Sequence, residues 1–400
     1  MDKSKRVRVR GPLEVHAVGF REELAARGYA DRSIQTQLGL VAYLSGWLEE
    51  CGLDASHLTT EHSEEFLRVC RSRGRRFPKS TEGLAPLLDF LRGVGVAPPP
   101  SPSRSTASDE MVERFGVYLS GERGLAAGTV VGYQHAASLF LAALEDAGRD
   151  MEDLTPVDIN GFVLAEHARR SVASTKQVVT GLRSLMRFLF VEAITPTSFA
   201  GAVPAVAGWG GGSLPRGIDA RSVKRLLASC DRRTAKGRRD FAVLTLLVRM
   251  GMRAGEVVAL ELGDINWHGG EITVRGKGNR VECLPLPVDV GNALAGYARR
   301  GRPRSEYRVF FLRVIAPHRS LTISAINVIV HRACDRANLA SIGTHRLRHT
   351  VASELLRRGA GLAEIGQLLR HRSFASTAIY AKVDTDALSR LARPWPGSAS

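Results

Sequence analysis

The first half of the chain repeats itself at an interval of 96 positions, and this repeat limits the possible folds more than any other feature. At that offset GYADRS (28–33) aligns with GLAAGT (124–129), WLEECG (47–52) with ALEDAG (143–148), and LTTEHSEEF (58–66) with LTPVDINGF (154–162). Both copies carry apolar residues at helical spacing, with Asp, Ser or Thr where helices would start. The alternative is a coincidence between two helical periodicities, but the fixed offset and the shared Leu-Thr pair favour a duplication. We therefore expect two related units of four helices each.

Two segments rich in proline, serine or glycine divide the chain into three parts. The first covers residues 97–108 (APPPSPSRSTAS), and the second covers residues 194–217, which end in GWGGGSLPRG. Such composition is typical of linkers rather than of packed elements. We therefore expect helical units at 15–96 and 109–193, followed by a third domain at 218–395.

The third part combines helices with a short β-hairpin. One helix is expected at 219–230, capped by Asp219, and an apolar one at 240–251. The sequence EITVRGKGNRVECLPL (271–286) alternates apolar and polar residues on both sides of a Gly-Lys-Gly-Asn turn, which is typical of a hairpin. VFFL (309–312) is expected to form a further strand, and the remaining segments are expected to be helical. The prediction is a mainly α domain with a small antiparallel β-sheet.

The charge of the chain indicates the chemical class of its partner. The net charge is +16 and the pI is near 10.2, which favours a polyanion such as nucleic acid. A basic but merely solvated surface is the alternative, because charge alone does not identify a partner. Only eight of the basic residues are lysines, so a lysine in a special place is more informative than a single arginine.

The five cysteines and the lack of long apolar segments indicate the compartment. The cysteines show no paired or metal-ligand spacing, which favours reduced thiols in a cytosolic protein. No run approaches the roughly 18 apolar residues of a membrane span. The N-terminus MDKSKRVRVR also lacks the apolar centre of a signal peptide. We therefore expect a cytoplasmic protein with no membrane partner.

The stretch THRLRHT (344–350) places His345 and Arg348 three positions apart in a segment expected to be helical. At this spacing the two side chains lie on one face, about one turn apart, and can reach the same anion. His167 and Arg170 have the same spacing, so the pair alone is not sufficient evidence for a site. Its meaning depends on the other residues of the third domain.

Four further residues of this domain are candidates for the same site. Arg253 lies in GMRAGEV, Lys277 at the tip of the hairpin, His371 in LLRHRSF, and Tyr380 in STAIYAKV. Taken alone, each has an ordinary explanation, since such residues are usually exposed charges, turn residues or parts of a core. Their order along the chain is the stronger signal.

In this order and spacing the motifs resemble the catalytic domain of the tyrosine recombinases, also called the phage integrase family. The resemblance covers roughly residues 214–395, and residues 109–193 resemble the core-binding domain of that family with its SAM-like helices. It implies a mainly α fold with a small antiparallel β-sheet in the catalytic domain. It also implies a site-specific DNA recombinase that cleaves and rejoins strands through a 3′-phosphotyrosyl intermediate.

The resemblance assigns roles to matching residues. Tyr380 would be the nucleophile that attacks a DNA phosphodiester. Arg253 and Arg348 would bind the non-bridging oxygens, because guanidinium groups stay charged and fit that geometry. Lys277 would protonate the leaving 5′-oxygen.

The remaining assignments concern the proton of the nucleophile and the orientation of the arginines. His345 and His371 would hydrogen-bond the phosphate and manage the tyrosine proton. Glu256, one turn beyond Arg253, is expected to orient the arginines, by position only. The family mechanism implies no metal ion and no other cofactor, and the sequence contains no Walker loop or clustered carboxylates.

Two features depart from the family pattern. The residue before the histidine of LLRH is usually small, often glycine, and here it is Arg370, which puts the packing at His371 in doubt and adds positive charge near the DNA. The additional helical unit at 15–96 would extend the DNA footprint or contact a neighbouring protomer. The C-terminal helix expected at 385–392 would pack on a neighbour or on its own domain.

The implied partners are double-stranded DNA recombination sites, a homotetramer in the synaptic complex, and accessory DNA-bending or directionality proteins. The expected setting is a bacterial mobile element, with the protein at the nucleoid. A monomeric type IB topoisomerase shares this chemistry, but the spacing from His371 to Tyr380 and the lack of long insertions favour a recombinase. A catalytically inactive DNA-binding regulator is the other alternative, and the complete set of six residues argues against it.

Overall fold

A computed structural model of the chain describes residues 7–74, 80–99, 106–207, 217–276, 280–370 and 377. The first half consists of two groups of four α-helices. These are α1 (Ala17–Ala26), α2 (Asp31–Glu50), α3 (Thr60–Ser72) and α4 (Ala85–Gly93), then α5 (Ala107–Gly121), α6 (Ala127–Asp146), α7 (Pro156–Arg169) and α8 (Val172–Val191).

The helix positions follow the sequence repeat in the middle of each group. α2 and α6 begin and end 96 positions apart, and α3 and α7 begin at the same offset. The copies differ at the last helix, because α4 has nine residues and α8 has twenty. Gly181 lies inside α8, whereas its counterpart Gly83 precedes α4 in a 3-10 turn. The repeat therefore predicts the second and third helices better than the fourth.

Each group buries its own set of apolar side chains. In the first group, the rings of Trp47 and Phe66 lie 5.6 Å apart between centroids. In the second, Phe115 and Phe188 lie 5.3 Å apart and are almost fully buried. Since burial of large aromatic side chains is a main source of stability, each group has a hydrophobic core that stabilises the packing of its helices.

The third part of the chain is mainly helical, with one small sheet. Its elements are α9 (Ala220–Ala228), α10 (Ala235–Arg249), α11 (Ala254–Ala259), β1 (Ile265–Asn266), β2 (Glu271–Arg275), β3 (Val281–Pro285), α12 (Val288–Arg300), α13 (Ile323–Arg336), α14 (Thr344–Arg357) and α15 (Leu362–Leu368). Asp219 caps α9, as predicted, by accepting the Ser222 backbone N–H at 2.8 Å. The second predicted helix begins earlier than expected, at Ala235.

The predicted hairpin is confirmed. β2 pairs antiparallel with β3, from Glu271 opposite Pro285 to Arg275 opposite Val281, and β1 adds two residues on the other side of β2. Ile272 and Val274 alternate inward on β2 and are buried in the domain core. The fold class expected from the sequence, mainly α with a small antiparallel sheet, is therefore correct.

The strand expected at 309–312 is wrong. Only two isolated bridges form there, Glu261 with Val309 and Leu312 with Ser320. Both Phe310 and Phe311 are buried, so the segment lacks the alternation of a strand with one exposed face.

The backbone hydrogen bonds of this segment go to scattered partners, since the Phe310 N–H donates to the Leu260 carbonyl and the Phe311 carbonyl accepts from the Leu321 N–H. Side chains supply the others. The Arg302 guanidinium donates to the carbonyls of Tyr307, Val309 and Phe310, and the Leu312 N–H donates to the Tyr297 hydroxyl. Such backbone partners cannot be read from an apolar run alone.

Within the described parts of the chain, no helix is long and apolar enough to cross a membrane.

Candidate active site

Arg253 is held at the junction between two helices. α10 ends at Arg249, and Gly251 then takes a left-handed backbone with φ +59°. A Cβ at Gly251 would lie 2.6 Å from Leu369 Cδ2, so the close approach also requires glycine. Arg253 directly precedes α11 in an extended conformation. The sequence GMRAG thus places the Arg253 side chain at the start of a helix.

Glu256 lies in the first turn of α11 and binds Arg253 twice. Its Oε2 accepts the Arg253 backbone N–H at 2.8 Å, and its Oε1 pairs with Arg253 Nη1 at 2.6 Å. The Glu256 side chain is 3% exposed, whereas that of Arg253 is 32% exposed. Glu256 therefore holds the guanidinium from the protein side and leaves part of it open to an incoming anion.

A second cation reaches Glu256 from a distant part of the chain. Arg370 Nη2 lies 2.8 Å from Glu256 Oε2, and both side chains are 3% exposed. Burial alone would raise the pKa of Glu256. The charge and hydrogen bond of Arg370, followed by the hydrogen bonds from Arg253, outweigh burial and hold the pKa below its ordinary value. Glu256 is therefore ionised at neutral pH.

Three arginines meet at the C-terminal end of α15. The last carbonyls of a helix lack intrahelical partners, and their partial negative charge favours cations. Arg370 Nη1 donates to the Leu368 carbonyl at 2.9 Å, Arg253 Nη2 to the Arg370 carbonyl at 3.1 Å, and Arg348 Nη2 to the Leu369 carbonyl. Arg253 and Arg348, predicted to share one phosphate, thus donate to adjacent carbonyls.

The predicted pair of His345 and Arg348 lies in α14, where the two side chains have different surroundings. Arg348 is buried, and its Nη1 donates to the Gly251 carbonyl. His345 is exposed, one turn earlier on the same helix. Arg348 thereby links the segment after α10 to the end of α15.

His349 was not singled out from the sequence, although it follows His345 by four positions in the same motif. It is half-buried, and burial, followed by electrostatic repulsion from His345 and Arg348, lowers its pKa. The imidazole is therefore neutral at neutral pH. The second histidine of HRLRH was the available signal.

The other pair with this spacing, His167 and Arg170, has a purely structural explanation. Arg170, which follows the last residue of α7, forms an ion pair with the buried Glu166. His167 is exposed on the same helix. The His-x-x-Arg spacing at this place is explained by local packing.

Three of the predicted site residues, Lys277, His371 and Tyr380, lie outside the described residues. Arg370, by contrast, is described, and its charge is buried against Glu256 rather than added to the surface near DNA. Among the side chains that the structure describes, no group of three or more His, Cys, Asp or Glu is arranged to hold a metal ion.

Comparison with protein families finds two matching models. One is described as the phage integrase family and matches residues 216–386. The other is described as the phage integrase N-terminal SAM-like domain and matches residues 112–193.

Individual relatives agree with these matches. The chain is 40% identical over 402 residues to a candidate integrase/recombinase, y4rA, of Sinorhizobium fredii, which covers 97% of this chain and 96% of the relative. It is 29% identical over 292 residues to the tyrosine recombinase XerD of Listeria monocytogenes, covering 69% and 94%. A crystal structure of the site-specific recombinase XerH bound to its palindromic difH substrate shares the fold, with a TM-score of 0.54, 17% identity, and coverage of 98% and 99%.

Proposed function

Because the chain belongs to the tyrosine recombinase, or phage integrase, family, we propose that this site-specific recombinase cleaves DNA by attack of Tyr380 on a phosphodiester. The attack forms a bond between the tyrosine oxygen and phosphorus and breaks the bond to the 5′-oxygen. The products are a 3′-phosphotyrosyl link and a free 5′-hydroxyl. Attack by a 5′-hydroxyl from another strand reverses the step and rejoins the DNA.

The observation that carries this proposal is the convergence of Arg253 and Arg348 on adjacent carbonyls at the end of α15. These carbonyls bear partial negative charge, so their surroundings suit guanidinium groups and keep both in one place. Two guanidinium forks at one place match a phosphoryl group whose charge grows in the transition state. Arg253, the more exposed of the two, is the first to meet the scissile phosphate.

The other roles follow from the family chemistry. Lys277 gives a proton to the leaving 5′-oxygen, which would otherwise depart as an alkoxide. His345 and His371 hydrogen-bond the phosphate and accept the proton that Tyr380 loses. The exposure of His345 beside the buried Arg348 supports its access to a DNA phosphate.

We further propose that four protomers act on two DNA segments and that residues 109–193 bind DNA together with the catalytic domain. A lambda integrase with the same fold has been crystallised as a tetramer bound to a Holliday junction, with 18% identity and a TM-score of 0.51. The N-terminal helical unit would extend the DNA footprint or contact a neighbouring protomer. Accessory DNA-bending or directionality proteins complete the expected set of partners, and a mobile element is the expected host.

Covalent trapping tests the nucleophile directly. The substrate is a duplex from the flanks of the gene itself, nicked so that the released 5′-hydroxyl fragment diffuses away and the adduct accumulates. We expect a protease-sensitive, shifted DNA band on a denaturing gel that survives a chelator and disappears in Tyr380→Phe. Tyr307→Phe is the matched control, since Tyr307 is an exposed tyrosine of the same domain outside the site.

The outcomes separate the possible readings. An adduct that persists in Tyr380→Phe would contradict the nucleophile assignment. DNA binding without an adduct on any flanking sequence would support a binding-only protein. Relaxation of supercoiled plasmid by a monomer, without strand exchange between sites, would instead indicate a topoisomerase.

A further inference from the structure

Arg370 has a backbone conformation that side chains ordinarily avoid. Its φ is +55°, in the left-handed region that glycine adopts without steric strain. It directly follows the C-cap residue of α15, a place where glycine is the usual choice. An arginine at this position therefore carries backbone strain that glycine would avoid.

The side chain of Arg370 is turned inward. Its Nη2 pairs with Glu256 Oε2 at 2.8 Å and its Nη1 donates to the Leu368 carbonyl at 2.9 Å. The Nε is buried without a partner among the described atoms. A guanidinium withdrawn from water this completely needs a strong counterion, and Glu256 supplies it.

Arg370 supports Arg253 from two directions. The Arg370 carbonyl accepts a hydrogen bond from Arg253 Nη2, and the Arg370 guanidinium shares the Glu256 carboxylate with Arg253. The fork of Arg253 is thus fixed by one residue through its backbone and through its side chain. No atom of the buried Arg370 side chain needs to touch DNA for this effect.

We propose that Arg370 is a positioning residue for strand cleavage, which balances the charge of Glu256 and orients Arg253 toward the scissile phosphate. This inference rests on the proposed phosphotyrosyl chemistry. Without Arg370, the full charge of the buried carboxylate would fall on Arg253 and weaken its attraction for the phosphate. With it, Arg253, Arg348 and Arg370 together exceed Glu256 by two charges, which suits a phosphoryl group gaining negative charge.

A pH effect distinguishes this role from simple packing. Within the described residues, the charged groups that meet the Glu256 carboxylate are Arg253 at the start of its own helix and Arg370 from beyond α15. α10, α13 and β2 also pack against α11, and they contribute residues of the hydrophobic core. If Arg370 is removed, burial is less well opposed and the pKa of Glu256 rises. Cleavage that needs ionised Glu256 is then lost at a higher pH as the solution is acidified.

The test is the rate of adduct formation on the nicked substrate, in a single turnover with excess protein, as a function of pH. Four variants of the full chain are compared with the wild type. Arg370→Gly removes both the backbone strain and the charge, and Arg370→Asn removes the charge but tolerates the left-handed conformation. Arg370→Lys keeps the charge. Glu256→Gln removes the negative charge of the carboxylate.

We expect Arg370→Gly and Arg370→Asn to cleave about 10- to 100-fold more slowly. This is the loss typical for removing a residue that orients an active-site group, as measured at metal sites. The fall in their cleavage rate on the acid side of the pH–rate profile (the acid limb) should occur at higher pH than in the wild type. Arg370→Lys should recover part of the rate. DNA affinity should stay within about twofold of the wild type, because the side chain is buried. In the Glu256→Gln background, Arg370→Gly should no longer shift the acid limb.

Asn338→Gly is the matched backbone control, since Asn338 also has a positive φ of 50° but follows α13. It should leave the rate and the pH profile unchanged. Wild-type cleavage by Arg370→Gly would overturn the proposal. So would slow cleavage with an unmoved acid limb, which indicates packing alone. Failure of the chemistry itself is recognised separately, by an adduct that survives Tyr380→Phe.

Discussion

A buried charge must find acceptors inside the protein, and Arg348 finds two in backbone carbonyls. Gly251 and Leu369 accept its Nη groups, and they belong to the ends of two different segments. Arg348 therefore joins the segment after α10 to the end of α15.

Gly251 is the position where this arrangement is most sensitive to a small change. Gly251→Ala introduces a methyl group 2.6 Å from Leu369 Cδ2, on a left-handed backbone. We expect it to lower the free energy of unfolding by about 1–3 kcal/mol, measured by urea denaturation. Adduct formation should also slow, because Leu369 carries the carbonyl that accepts Arg348 Nη2.

Gly270 provides the control, because it has a similar φ of +63° but nothing within 4 Å of an added Cβ. Gly270→Ala should show the backbone cost alone, about 1 kcal/mol. Equal losses in the two variants would mean that the Leu369 contact relaxes freely, which would contradict tight packing at Gly251.

The sequence predicts the candidate residues of the site but not the contacts between their side chains. His345, Arg348 and Arg253 stand out by motif order, and Arg348 and Arg253 do meet at one helix end. The ion pair between Glu256 and Arg370 spans 114 positions, and no local pattern joins them. In a chain so rich in arginine, sequence alone cannot separate a buried arginine from an exposed one.

Secondary structure elements were predicted well where their periodicity is local. The hairpin follows from alternation around a turn, and α9 follows from Asp219 and an amphipathic run. VFFL does not form a strand because its backbone partners come from separate places, namely the Arg302 side chain and the backbone of Leu260 and Leu321. The later start of α4 relative to α8 has a local signal, since Pro86 lies in its first turn and proline is not tolerated further inside a helix.

Gly181 allows α8 to pack closely on α6. A Cβ there would lie 2.8 Å from Ala136 Cβ and 3.3 Å from Tyr133 Cα. We expect Gly181→Ala to destabilise the second bundle by about 1–3 kcal/mol, because the helices must move apart or strain. Thermal or urea unfolding followed by circular dichroism measures the loss.

Gly132 in α6 is the matched helical glycine, with open space around an added Cβ. Gly132→Ala should stabilise the same bundle by up to about 1 kcal/mol, since alanine is the better helix former. If both substitutions stabilised the protein, the close contact between α6 and α8 would be refuted.

On the scale of the whole molecule, the linkers and the repeat predict separate hydrophobic cores. Residues 98–211 contain a compact unit with its own buried cluster, including Phe115, Leu182 and Phe188. What composition could not reveal is which part of the net charge of +16 serves DNA and which part is neutralised inside, as at Arg370.

A fragment of residues 106–207 should therefore fold by itself. Its size of about 100 residues is typical of an independent domain. We expect a helical circular dichroism spectrum and a sigmoidal urea transition. Leu182→Ala should lower its free energy of unfolding by about 2–5 kcal/mol, because Leu182 is fully buried. A gradual, non-cooperative loss of signal would contradict an independent core.

The pairing of Arg370 with Glu256 also has a consequence for inheritance. A lineage that carries arginine at the end of α15 depends on a carboxylate far upstream, so either change alone meets a penalty that the other would remove. Chimeras assembled from two such enzymes should tolerate crossovers outside the interval 256–370 better than crossovers within it. Related enzymes with glycine at this position would be free of that constraint, and their segments would exchange more readily in chimeras.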